Sequence, residues 1–182
     1  MIRILDVFLS AFGIIIGFPL FLLIFLAGWI DLRSPFFIQE RVGLNQKPFM
    51  LIKYRTMRLD TESVATHLVD KSAVTSFGSF LRKTKLDEFP QLWNVLKGDM
   101  SLVGPRPCLY SQKELINERL LYGVFDVKPG ITGISQIEGV DMSNPKLLTR
   151  LDSKMIISSS IKTYFYCIFA TLFGIRVQGK NL

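Results

Sequence analysis

Val7-Phe-Leu-Ser-Ala-Phe-Gly-Ile-Ile-Ile-Gly-Phe-Pro-Leu-Phe-Leu-Leu-Ile-Phe-Leu-Ala-Gly-Trp-Ile30 runs 24 residues without a charge. At about 1.5 Å per residue a helix over this run is roughly 36 Å long, enough to cross a bilayer. It is too long for the apolar region of a signal peptide, and no small-x-small cleavage site follows at Asp31-Leu32-Arg33. Pro19, near its middle, removes a backbone donor and presses on the carbonyl four residues back, so a kink is expected. The arms Val7–Phe18 and Leu20–Ile30 are each about half a bilayer span. The run is therefore a kinked spanning helix or a hairpin that enters and leaves by one face. Proline is common in spanning helices, so composition favours the span. Arg33, Arg41, Lys47, Lys53, Arg55 and Arg58 follow, against one acid, Glu40. This bias places that flank in the cytoplasm, on anionic headgroups.

The run holds most of an apolar excess. Of 182 residues, 49% are hydrophobic and 20% charged, and the mean hydropathy is +0.33. That excludes a disordered chain. Lys plus Arg number 22 and Asp plus Glu 15, a net charge of +7. Such a balance points to nucleic acid, an anionic membrane surface or a phosphate-rich substrate. The hydropathy favours the membrane. Two cysteines, Cys108 and Cys167, cannot build a disulfide framework, and a reducing compartment is the default. A single histidine, His67, argues against a His-based metal site.

Residues 33–182 read as a cytoplasmic body without internal repeats, and residues 1–32 as a separate membrane element. Phe36–Gln39 and Phe49–Lys53 read as short strands separated by a turn at Gly43–Gln46. Asp60–Ser76 is polar, a loop or a loosely packed helix, and Phe77–Lys83 a helical turn. Phe89, Leu92, Trp93 and Leu96 share one helical face, and Gly98 stops that helix. Gln112–Tyr122 and Leu147–Ser159 are further helices, with a turn-rich loop at Lys128–Gly133. The uncharged tail Thr163–Ile175 is too short to span. With Tyr164 and Tyr166 at headgroup level it reads as an interfacial helix within 161–177, the alternative being a buried core helix.

Four places carry chemistry. Asp87-Glu88 follows Thr84 and precedes Pro90, which puts the pair at or just inside a helix N-terminus. There the acids either only complement the helix dipole, or one faces a reacting phosphorus, kept ionised by the dipole, while the other holds a metal. In Gly104-Pro-Arg-Pro107 two prolines stiffen a loop that presents Arg106, suited to a bidentate grip on phosphate. Lys53 and Arg55 share one strand face and either line an anion pocket or attach to headgroups. Arg82 adds a cation near Asp87. Lys128-Pro-Gly-Ile-Thr-Gly133 offers backbone N–H groups to a phosphate or base. Cys108 has no neighbour in sequence that lowers its pKa and reads as structural.

Together these stretches resemble the bacterial sugar transferases, the small monotopic phosphoglycosyl transferases. The resemblance rests on Phe37-Ile-Gln-Glu-Arg-Val-Gly43, on Phe49-Met-Leu-Ile-Lys-Tyr-Arg-Thr-Met57 and on the 22 residues from Leu86 to Pro107. Lys128–Gly133, Gln136 and Leu151-Asp152 extend it. It implies an α+β, mostly helical fold: an N-terminal re-entrant helix-break-helix and a small cytoplasmic domain with short strands and interfacial amphipathic helices. Both ends of the membrane element then stay cytoplasmic, which reverses the preference for a span. It implies transfer of a sugar-1-phosphate from a UDP-sugar to a polyprenyl phosphate such as undecaprenyl phosphate, releasing UMP and starting a lipid-linked glycan. Asp87 is then the nucleophile that forms a covalent phosphosugar intermediate, and Glu88 holds Mg²⁺. Lys53, Arg55, Arg82, Arg106, Thr132, Gln136 and Asp152 are the expected substrate contacts.

The expected setting is the cytoplasmic face of the inner membrane, with downstream glycosyltransferases as possible partners. A nucleic-acid binder has no base-reading motif here to support it. Four positions depart from the family pattern. Phe18 stands where Ser often precedes the kink proline. Lys128 replaces the Arg of Arg-Pro-Gly, and Lys154 and Met155 replace paired tyrosines. The last departure motivates the alternative of a catalytically idle scaffold within a glycan assembly complex.

Overall fold

The computed structural model describes residues 1–61 and 71–175. Helix α1 runs unbroken from Ile2 to Leu32, with Pro19 inside it. The expected kink at Pro19 does not end the helix. Its inner side is held along the whole length. Arg3 donates to the carbonyls of Val95 and Leu96 at 2.6 and 3.0 Å. Leu92 and Phe89 fill the space that a side chain at Gly13 or Gly17 would need, Phe89 Cζ lying 2.5 Å from an ideal Cβ at Gly17. Tyr54 donates its hydroxyl to the carbonyl of Phe21 at 2.8 Å, and Thr75 Oγ1 donates to Asp31 Oδ2 at 2.8 Å.

Asp6, 2% exposed, ties α1 to two distant segments. It accepts from Ser101 Oγ, the Leu102 N–H and Tyr164 Oη, each within 3.0 Å. The residues of α1 that are buried are Asp6, Ser10, Ile24 and Gly28. Its outer side bears Phe8, Phe12, Ile15, Leu23, Trp29 and Ile30, all more than half exposed. Such a face needs an apolar surrounding, so the chain is membrane-associated.

Strands β1 (Phe36–Val42) and β2 (Pro48–Tyr54) form an antiparallel hairpin, Phe36 opposite Tyr54 and Val42 opposite Pro48. Both strands extend the short runs expected. Asn45, at φ 51°, makes the turn between them. Helix α2 (Ser76–Thr84) starts with Thr75 Oγ1 accepting from the Gly78 N–H. Lys85, left-handed at φ 57°, ends it and leads into a 3₁₀ turn, Leu86–Glu88. Helix α3 (Gln91–Lys97) then stops at Gly98, φ 98°.

Asp87-Glu88 therefore lies in its own turn rather than in the first turn of α3. Thr84 caps nothing ahead of it, since its hydroxyl donates back to Phe80 and Leu81 carbonyls. Strand β3 (Ser101–Val103) pairs in parallel with β4 (Gly130–Thr132). The Lys128–Gly133 segment thus contains a strand where only a loop is expected. Between β3 and β4 runs helix α4 (Lys113–Leu121). Helices α5 (Ile134–Ile137), α6 (Pro145–Ile157) and α7 (Ile161–Leu172) follow.

Helix α7 is two-sided. Tyr164, Cys167 and Ala170 are buried, while Tyr166, Phe169, Leu172 and Phe173 are exposed. Tyr164 is thereby removed from the headgroup level expected for it, because its hydroxyl binds Asp6. Most of the Asp60–Ser76 stretch, His67 included, and the tail beyond residue 175 lie outside the described residues. The fold is mostly helical α+β, with two small sheets and a long apolar N-terminal helix.

Candidate active site

A cavity of about 460 Å³ opens where the hairpin, the 3₁₀ turn and the Gly-Pro-Arg-Pro loop meet. Strand β1 supplies Arg41 and β2 supplies Lys53. The end of α2 supplies Arg82 and Lys85, and the turn supplies Asp87 and Glu88. Arg106 enters from the loop after β3, Thr132 from β4, Gln136 from α5 and Thr171 from α7. Five cationic side chains face three acidic ones, Asp87, Glu88 and Asp141, so the cavity is positive before any ligand binds.

Asp87 is 8% exposed. Burial, and then the neighbouring Glu88, push its carboxyl up to about 6, against the opposing pull of Lys53, Arg82 and Arg106. A position at a helix N-terminus, expected to keep Asp87 ionised, is not what sets its charge. It is still anionic at neutral pH. Burial, then Arg106 and Arg41, bring the Lys53 ammonium down to about 8. Burial lowers Arg41 to about 10 and also lowers Arg82. Glu88 raises Arg106 through a 2.8 Å ion pair between Oε1 and Nη2. Arg82 is steadied by its Nε–H donating to Thr56 Oγ1 at 2.9 Å.

Behind the cavity a chain of polar contacts fixes the loop. Arg119, 2% exposed, donates to the backbone carbonyl of Arg106 at 2.8 Å and pairs with Asp152 Oδ2 at 2.7 Å. Asp152 Oδ1 accepts from Ser135 Oγ at 2.8 Å. Gly104 and Gly130 are in backbone contact, and a Cβ on Gly104 would sit 2.6 Å from the Lys128 carbonyl.

Lys53, Arg82, Arg106, Thr132, Gln136, Asp87 and Glu88 are thus brought together. Arg55 and Asp152 are not. The Arg55 guanidinium donates to the carbonyls of Ser34 and Phe36 and lies outside the cavity wall. Asp152 is fully buried in its ion pair. Sequence reasoning missed Arg41, Lys85 and Thr171 as wall residues. Arg41 had a signal: Gln39 and Arg41 alternate with Ile38 and Glu40 and are the buried pair. Arg41 and Lys53 turn into the cavity and Arg55 is half-buried against the Ser34 and Phe36 carbonyls, so of the six basic residues after α1, Arg33, Lys47 and Arg58 are the exposed ones.

The departures at 18, 128, 154 and 155 also fall outside the cavity wall. Phe18 is 60% exposed on α1 and Met155 is 4% exposed behind β4. Lys128 lines a separate cavity beside Arg3 and Asp6.

A recessed carboxylate pair among fixed cations suits nucleophilic attack at an anionic phosphorus centre. The comparisons with known proteins agree in kind. The uncharacterized sugar transferase EpsL of Bacillus subtilis is 49% identical over 111 residues, 60% of this chain and 54% of that protein. The UDP-glucose:undecaprenyl-phosphate glucose-1-phosphate transferase of Caulobacter vibrioides is 41% identical over 145 residues, 76% of this chain and 54% of that protein. The galactosyl transferase CpsE of Streptococcus agalactiae is 37% identical, covering 91% of this chain and 40% of that protein. The chain spans about half the length of these curated relatives. The bacterial sugar transferase family model matches residues 1–178, and the chain belongs to that family.

Proposed function

We propose that the protein transfers a sugar-1-phosphate from a UDP-sugar to undecaprenyl phosphate, or a related polyprenyl phosphate, as a step in polysaccharide synthesis. The observation that carries this is Asp87 and Glu88 recessed in a wall of Arg41, Lys53, Arg82, Lys85 and Arg106. Relatives named as UDP-glucose:undecaprenyl-phosphate glucose-1-phosphate transferases support the substrate classes.

In the first half-reaction an Asp87 carboxylate oxygen attacks the sugar-bearing phosphorus of the donor. The bond from that phosphorus to the bridging oxygen breaks, and UMP leaves with the electron pair. An acyl phosphodiester joins Asp87 to the sugar phosphate. In the second, a phosphate oxygen of the lipid attacks the same phosphorus and releases the carboxylate. Attack by an anion on a diphosphate must overcome like-charge repulsion. Lys53, Arg82 and Arg106 offset that charge where it develops, held in place before the substrate arrives. Arg55 and Asp152, proposed from the family resemblance as substrate contacts, act from outside the cavity wall: Arg55 through the strand that carries Lys53, Asp152 through Arg119.

Mg²⁺ suits the donor set. No cluster of three His, Cys, Asp or Glu side chains forms among the described residues, and Mg²⁺ is commonly held by one or two carboxylates with substrate phosphates completing its shell. Glu88 would hold it once released from Arg106, and Mg²⁺ there would neutralise diphosphate charge. The idle-scaffold reading draws no support from the cavity, because the unusual residues at 154 and 155 lie elsewhere.

Monotopic seating on the cytoplasmic face completes the proposal. Both halves of α1 contact the body, from Arg3 to Asp31, which supports a helix lying in one leaflet with both ends on one side. The test of the activity is intact mass. Purified protein with Mg²⁺ and a panel of UDP-sugars gains one sugar-phosphate, and Asp87→Asn gains none. No adduct with any donor, or full turnover by Asp87→Asn, would sink the reading.

A further inference from the structure

The cavity wall includes one residue from α7, Thr171, in the last turn of that helix. Its hydroxyl pairs with the hydroxyl of Thr132. The Thr132 carbonyl accepts from the Gly104 N–H at 2.8 Å, two residues before Arg106. The hydroxyl pair therefore sits beside the loop that presents the phosphate-gripping guanidinium. The same turn of α7 also faces outward, with Leu172 74% and Phe173 75% exposed. One helical turn thus joins the interior of the catalytic cavity to an apolar face of the molecule.

The far end of the cavity is different. There Leu148 belongs to a buried cluster with Val42, Cys108 and Leu115, and Val140 and Met142 pack against it. Exposed apolar residues also neighbour the wall residues Leu148 and Arg82, Leu147 at 44% and Phe80 at 53%, but the α7 end carries the most exposed pair.

Each hydroxyl brings one proton and two lone pairs. The mutual bond uses one proton and leaves the other free to donate outward. Ile131 lies alongside as an apolar wall. A free hydroxyl donor beside Arg106, at the edge that meets lipid, fits a phosphate tethered to an apolar tail. A UDP-sugar has no such tail.

We infer that the Thr132–Thr171 hydroxyl pair is the contact for the phosphate of the lipid acceptor, separate from the cationic wall that takes the donor diphosphate. The inference rests on the phosphotransfer reading above and assigns its second half. Two anionic sources share this chemistry, the polyprenyl phosphate and a bulk anionic headgroup, and the test separates them.

Purified protein in detergent is first charged to the Asp87 adduct with the UDP-sugar that the panel identifies. The adduct is then discharged in parallel by UMP, which reverses the donor step, and by undecaprenyl phosphate. Thr171→Val removes the hydroxyl at nearly constant shape, and Thr171→Ser retains it. Loss of one hydrogen bond to a charged phosphate predicts a drop of about tenfold or more in discharge by undecaprenyl phosphate for Thr171→Val. Discharge by UMP changes by less than about twofold, and Thr171→Ser stays close to the unsubstituted chain in both.

Equal loss in both discharges, or loss in neither, overturns the inference. So does excess phosphatidylglycerol that competes with undecaprenyl phosphate in the unsubstituted chain but not in Thr171→Val, since the pair would then serve bulk headgroups. Absence of any adduct on the unsubstituted chain overturns the phosphotransfer reading itself, and this assignment with it.

Discussion

Lys53 and Asp87 carry opposite charges in a pocket that penalises both, and that tension makes the site sensitive to pH. Lys53 loses its proton near pH 8, so the folded cavity sheds a positive charge above that value. KM for the UDP-sugar should therefore rise between about pH 8 and 9.5. Lys53→Arg, which stays charged there, should flatten that rise; a steep rise in the variant would count against Lys53 as its source. Asp152 makes a different kind of prediction. Its partner Arg119 is 2% exposed, and Asp152→Asn leaves that guanidinium buried without a counter-ion. Chemical denaturation should register a loss of about 3–5 kcal/mol. Sequence reasoning brought Asp87, Glu88, Lys53, Arg82 and Arg106 to the site because charged residues in a specific block carry their chemistry on their face. It expected Asp152 among the substrate contacts, and the structure pairs that carboxylate with Arg119, a partner that a carboxylate in sequence does not announce.

Among elements, α3 shows how one side chain can complete a sheet. Asn94 Oδ1 accepts from the Ile52 N–H at 3.0 Å, and its Nδ2 donates to the Met50 carbonyl at 2.7 Å. The amide thus takes the place of a strand on the free edge of β2. Asn94→Ala leaves a buried donor and acceptor unmet and should cost about 2–3 kcal/mol by thermal or chemical unfolding. Gly17 makes a similar point on α1. Any side chain there meets the Phe89 ring, next in sequence to Glu88. Gly17→Val should cost about 1–3 kcal/mol through overpacking and slow adduct formation, whereas an unchanged rate would separate α1 docking from the dyad. The hairpin and α1, α3, α4 and α6 were legible because each is long enough to show a period or a turn signal. Strands β3 and β4 were not, since three residues show no alternation and their pairing depends on segments 29 positions apart.

For the whole molecule, α1 bends the usual surface rule: Asp6, Ser10 and Gly28 are turned to protein beside Ile24, while most of its bulky apolar residues are turned out. Single cysteines at positions 1 and 33, read against the buried Cys108 and Cys167, should both react with an impermeant reagent only in inside-out vesicles. Labelling of either position from the outer side of sealed cells would refute the one-leaflet seating. Hydropathy alone could not decide this, because it counts apolar residues without saying which of them meet protein. The Asp6 knot also constrains biosynthesis. Its partners lie 95, 96 and 158 residues downstream, so a nascent chain has a charged carboxylate near the start of its most lipophilic segment and nothing to satisfy it. Partition into hydrocarbon at that stage is penalised. Helix-first insertion is thereby disfavoured, and α1 should wait at the headgroup boundary until translation reaches Tyr164 and the body closes around it.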